Sequence, residues 1–174
     1  MTAVLRALLP AVVLALGAAG CTSLSPDGKG LVPGQSTLAE VEAAMGRPAD
    51  TRQQPNGETW LYYSTQPYGR TMNVARIAPD GTMLDFENRL TDKNVAVIQS
   101  HTGKWTREDV RNFIGPSPWI VNYARQEREA WTYYMRPYGS TGTPMVLYVQ
   151  FSPDGIVREV YEFDEGSLYS RGRR

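Results

Sequence analysis

Few side chains in this 174-residue chain could do covalent or proton-transfer chemistry, and the most distinctive is its one cysteine. Cys21 follows Ala18-Ala19-Gly20 at the end of an apolar stretch, so its thiol is placed for acylation after a cut at small residues. Arg6 supplies the positive start, and residues 7–17 form a short apolar segment interrupted by Pro10. That segment is shorter than the roughly 20 apolar residues that span a bilayer. His101 is the only histidine, so any Ser-His-Asp or Cys-His arrangement would have to be built on it alone. The expected role of His101 is that of a helix-end or loop residue. Asp80 and Asp154 look like a carboxylate pair for sugar hydrolysis, but each lies in a Pro-Asp-Gly turn, where Asp is favoured for bonding to its own backbone. Gly139-Ser-Thr-Gly-Thr143 runs into Pro144 and a strand, and therefore lacks the helix N-terminus of a phosphate cradle. No catalytic residue, metal site or cofactor is assigned beyond a lipid on Cys21.

The remaining chemistry is that of recognition. Tyr63, Arg76, Tyr134 and Tyr148 are of types enriched in protein-binding hot spots, and they are expected to share the open face of a sheet. The competing expectation is that such aromatics stabilise the sheet by cross-strand contact. Lys and Arg number 18, as do Asp and Glu. Without the terminal Arg171, Arg173 and Arg174 the body is mildly acidic, which argues against a nucleic-acid partner. If Cys21 carries lipid, no thiol remains for a disulfide, and the apolar core alone must hold the fold.

The elements that position these residues occur twice. Thr37-Leu-Ala-Glu-Val41 through Met45-Gly46 returns as Thr106-Arg-Glu-Asp-Val110 through Ile114-Gly115, with Pro48 or Pro116 close behind. Trp60-Leu-Tyr62-Tyr63 matches Trp131-Thr-Tyr133-Tyr134, Pro67-Tyr68-Gly69 matches Pro137-Tyr138-Gly139, and Pro79-Asp80-Gly81 matches Pro153-Asp154-Gly155. Landmarks in one order at an offset of about 70 residues indicate an internal duplication. Thr37 and Thr106 are helix N-caps, with Glu40 and Asp109 at capping-box spacing, and Gly46 and Gly115 close those helices in left-handed conformation. A further helix is predicted over 91–101, with Val95 and Ile98 inward. Alternation then predicts strands at 60–63, 71–77 and 83–89, and again at 131–134, 146–151 and 156–163.

The predicted fold is α+β: two tandem repeats, each a helix or helix pair plus a three-stranded antiparallel meander, with the helices on one face. Trp60 and Trp131 are expected at equivalent buried positions. The boundaries are a signal peptide at 1–20, a flexible tether at 21–35, repeats at 36–90 and 91–165, and a basic tail at 166–174.

The segment ending at Cys21 resembles the lipobox of bacterial lipoproteins, with Ala18 where Leu is usual, and Thr22 after the cysteine implies the outer membrane. The run from Gly34 to Pro48, then Glu-Thr-Trp60-Leu-Tyr-Tyr and Pro-Asp-Gly, resembles the BamE-like (SmpA/OmlA) domain of small outer-membrane lipoproteins, and the second repeat resembles it too. The resemblance implies a periplasm-facing, lipid-anchored and non-catalytic protein whose partner is another protein. The β-barrel assembly machinery is the implied candidate, since the best-known family member is an accessory subunit there. The tandem arrangement is also similar to that of the secreted β-lactamase-inhibitor protein, which implies a module that inhibits a periplasmic enzyme. A peptidoglycan-active enzyme is the expectation least supported by the residues.

Overall fold

The computed structural model describes residues 27–138 and 142–170. Cys21, the predicted signal segment and the three terminal arginines lie outside them. In order, the elements are α1 (Leu38–Met45), β1 (Asp50–Gln53), β2 (Thr59–Ser64), β3 (Met72–Ile77), β4 (Met83–Asn88), α2 (Asp92–Ser100), α3 (Arg107–Ile114), β5 (Trp119–Tyr123), β6 (Arg128–Tyr138), β7 (Thr143–Phe151), β8 (Val157–Asp164) and α4 (Glu165–Ser170). The strands form two separate antiparallel sheets, ordered β1-β2-β3-β4 and β5-β6-β7-β8.

The predicted three-stranded meanders are therefore corrected to four-stranded sheets that are not joined. The extra strands are β1 and β5, which precede each predicted meander and pair with β2 and β6. Strand β1 reads Asp-Thr-Arg-Gln, whose polar side chains give no apolar alternation.

Helices on one face only is the second correction. Helix α1 packs on one face of the first sheet, where Val41 meets Leu61, Tyr63, Ala75, Ile77 and Met83. The opposite face presents Tyr62, Met72 and Val74 to a larger core that includes Val95 and Ile98 of α2, Val110 and Ile114 of α3, and Trp131, Tyr133, Leu147, Val149 and Phe151 of the second sheet. The reason is visible in β2 and β3. Leu61, Tyr62 and Tyr63 are buried in succession, as are Met72 to Ala75, because these central strands are covered on both sides.

Both capping boxes form. The Thr37 N–H donates to the Glu40 carboxylate at 2.7 Å and the Glu40 N–H to Thr37 Oγ1 at 3.3 Å. The Thr106 and Asp109 pair repeats this at 2.8 and 3.2 Å. Gly46 and Gly115 have positive φ, 76° and 93°, but ψ of −151° and 179°, so each ends its helix in an extended glycine conformation rather than a left-handed turn. Gly115 is also a point of close approach: a Cβ there would lie 2.9 Å from Met72 Sδ and from Tyr62 Cδ1. The end of α3 thus presses directly on the first sheet, and the Tyr62 hydroxyl donates to the Asn112 carbonyl at 2.6 Å. Ion pairs from Arg52 to Glu108 and from Arg111 to Asp50 hold α3 beside β1.

The two tryptophans are not equivalent. Ile77 and Phe151 precede the same kind of irregular turn into Met83 and Val157, opposite Thr59 and Glu129, so Leu61 corresponds to Trp131 and Trp60 to Ala130. A one-residue offset turns a strand side chain to the other face. Trp131 faces α3 as Leu61 faces α1, while Trp60 points away from α1.

Part of the segment predicted as a flexible tether, residues 28–34, is packed on the first repeat. Gly28 is buried so closely under Phe86 that a Cβ would run into the ring, Leu31 joins the α1 core, and the Gly34 N–H donates to Met83 O at 2.7 Å. At the other end, the predicted tail begins within α4.

Candidate protein-binding face

Alternation along the second sheet sends Trp131, Tyr133, Leu147 and Val149 to the core and the residues between them to the opposite face. Register assembles that face. Tyr148 stands between Thr132 on β6 and Tyr161 on β8, Tyr134 pairs with Val146, and Val146 pairs with Phe163. On β5, Trp119, Val121 and Tyr123 complete it. Neither core cluster includes a residue from this face.

The aromatic groups touch. Tyr148 stacks on Tyr161 with ring centroids 5.6 Å apart and lies 5.2 Å from Phe163. Such contacts fix ring orientation while leaving part of each ring exposed. Trp119 is 58% exposed, Tyr161 39% and Tyr123 36%, while Tyr134, Tyr148 and Phe163 are half-buried. Burial, and then a hydrogen bond with Tyr148, raises the pKa of Tyr123. Arg128 donates to Gln150 and to Glu159 at 3.1 Å each, and Gln150 donates to the Tyr161 hydroxyl at 3.1 Å. The floor holds the Thr132 hydroxyl, buried with no hydrogen-bond partner. An open cleft of about 410 Å³ adjoins the face at the turn between β5 and β6, lined by Arg107, Tyr123, Glu127 and Arg128 among others.

Only two of the four predicted surface residues meet here. Tyr134 and Tyr148 lie on the open face of the second sheet. Tyr63 is 6% exposed under α1, with its pKa pushed up to about 12 by burial and by Glu42. Arg76 is on the other face of the first sheet from Tyr63, level with Trp60. Its guanidinium holds the Glu58 carboxylate through two hydrogen bonds at 3.0 and 2.9 Å and lies over the Trp60 ring. Neither lies on the open face of the second sheet: Tyr63 is under α1, and Arg76 is held against Glu58 and Trp60 of the first. Tyr123, Tyr161 and Phe163 were missed. Phe163 and Tyr161 flank Glu162 in a predicted strand, and only the register with β7 assigns their face. The run Trp119-Ile-Val-Asn-Tyr123 after Gly115-Pro-Ser-Pro118 is a strand signal in its own right.

The groups considered for catalysis are engaged in local structure. His101 caps α2, its Nδ1 2.8 Å from the Val97 carbonyl and its ring stacked on Trp105 at 4.4 Å. Asp80 and Asp154 accept from the backbone N–H groups of Thr82 and Ile156. Among the described residues no group of three or more His, Cys, Asp or Glu side chains is placed to hold a metal ion, and no helix is long and apolar enough to cross a membrane.

Compared with known proteins, this chain matches no family model, no curated protein and no solved structure.

Proposed function

We propose that this chain is a BamE-like outer-membrane lipoprotein, anchored through Cys21 and facing the periplasm, that binds another protein without catalysis. The observation that carries the binding role is the aromatic face of the second sheet, where Tyr123, Tyr148, Tyr161 and Phe163 lie together outside both cores with Arg128 beside them. Rigid amphipathic rings and arginine are what interface centres use, since they bury much area at little entropic cost. The lipobox resemblance at Cys21 supports the anchor, and the β-barrel assembly machinery is the proposed partner. The alternative of a tandem inhibitor module rests on the tandem resemblance alone, and the two repeats form separate sheets.

The test is affinity capture from solubilised envelope with wild type and with Tyr148→Ser plus Tyr161→Ser. The double substitution weakens capture of the specific partner by about 2 kcal/mol or more, while the melting temperature is retained. Unchanged capture with lost stability would mean that these rings only brace the sheet.

A further inference from the structure

Two sheets leave four edges, at β1, β4, β5 and β8, and three of them are defended. Strand β1 carries Asp50 and Arg52, tied to each other and to α3. Strand β4 carries Asp85 and Glu87, and β8 is strongly charged from Arg158 to Asp164. Charge on an edge is a common means by which sheets avoid pairing with other chains. Strand β5 has none. Trp119-Ile-Val-Asn-Tyr123 contains no charge, proline or glycine, and its ladder with β6 has no bulge. Its exposed apolar side chains lie on both faces, Trp119 and Tyr123 on one and Ile120, 50% exposed, on the other.

We propose that β5 pairs antiparallel with β5 of a second copy of this chain, in register about Val121, joining two four-stranded sheets into one of eight. The strand is self-complementary under that two-fold axis. Trp119 of each copy stands opposite Tyr123 of the other, giving two cross-strand aromatic pairs, and Ile120 stands opposite Asn122. An antiparallel pair about Val121 is what a two-fold axis between the copies generates, so each of these contacts is made twice. The inference is independent of what docks on the aromatic face, although that face would continue across the axis.

The test is sedimentation equilibrium of the full chain carrying Cys21→Ser, in mild detergent. A dimer is expected. Trp119→Glu with Tyr123→Glu trades two aromatic pairs for two like-charge pairs and should weaken the dimer about tenfold or more. Trp119→Glu with Tyr123→Lys makes both pairs attractive and should retain it. Val121→Cys, alone in the Cys21→Ser chain, should oxidise to a covalent dimer, because directly opposed residues lie within disulfide reach. That cross-link also decides the matter if the charged variants fold poorly. A monomer at every concentration, a dimer indifferent to the paired Glu substitutions, or no cross-link at position 121 overturns the proposal.

Discussion

The side-chain amide of Gln66 sits on the main chain of Tyr134 like one more residue of a strand: Nε2 donates to the Tyr134 carbonyl at 2.5 Å, and the Tyr134 N–H donates to Oε1 at 2.8 Å. The ladder of β5 with β6 ends at Trp119 opposite Thr132, so a loop of the first repeat completes the edge of the second sheet. Arg70 adds to the seam, reaching the Met135 carbonyl and the Glu165 carboxylate. Gln66→Ala should cost about 1–3 kcal/mol by leaving these groups unpaired. Chemical denaturation reads the loss, and faster amide exchange at Tyr134 assigns it to this contact.

Gly115→Ala should be markedly more destabilising than Gly81→Ala. Both glycines have positive φ, 93° and 87°, but a Cβ at Gly81 meets nothing within 4 Å, whereas at Gly115 it meets Met72 and Tyr62. Backbone strain alone is worth about 1–2 kcal/mol, so the excess at Gly115 measures how tightly α3 presses on the first sheet. Equal losses in urea melts would show that this approach relaxes easily.

Stability should fall in acid, and Glu58 should account for part of the fall. Hydrogen bonds from Arg76, then from Trp60, lower its pKa to about 2. A carboxylate with a depressed folded value contributes fully above its unfolded value of about 4.3 and loses that contribution as pH falls toward the folded value. Asp50 acts in the same direction: burial raises its pKa, but Arg52 and Arg111 outweigh that and hold it low. Urea melts at pH 7 and pH 3 should show a smaller difference for Glu58→Gln than for wild type.

Local features were the most legible in the sequence. The N-caps at Thr37 and Thr106, the Pro-Asp-Gly turns and helix α2 depend on residues a few positions apart, and all are present. What escaped depends on long-range packing. Sequence alone aligned Trp60 with Trp131, whereas the ladders align Leu61 with Trp131, because the segments between the matched landmarks are of unequal length in the two repeats. The same limit placed Tyr63 on a surface. Three consecutive apolar residues in β2 signal a strand buried on both faces, but only the position of α3 shows what covers the second.

Cys21→Ser should abolish acylation and release the protein from the membrane fraction, because only the thiol accepts the lipid and stable anchoring needs more than one acyl chain. Mass spectrometry and membrane flotation read the change. Equal membrane association of wild type and variant, with no lipid adduct, would remove the anchor from the proposed function.

The most direct test of the binding face is site-specific photo-crosslinking in the native envelope, with the probe at position 148 or 161 of the aromatic face and, as controls, at exposed positions 42 of α1 and 96 of α2. Positions 148 and 161 should each give a discrete adduct with a protein other than this chain, and positions 42 and 96 should not. Adducts confined to the control positions, or no adduct from 148 and 161, would contradict a partner seated on the open face of the second sheet.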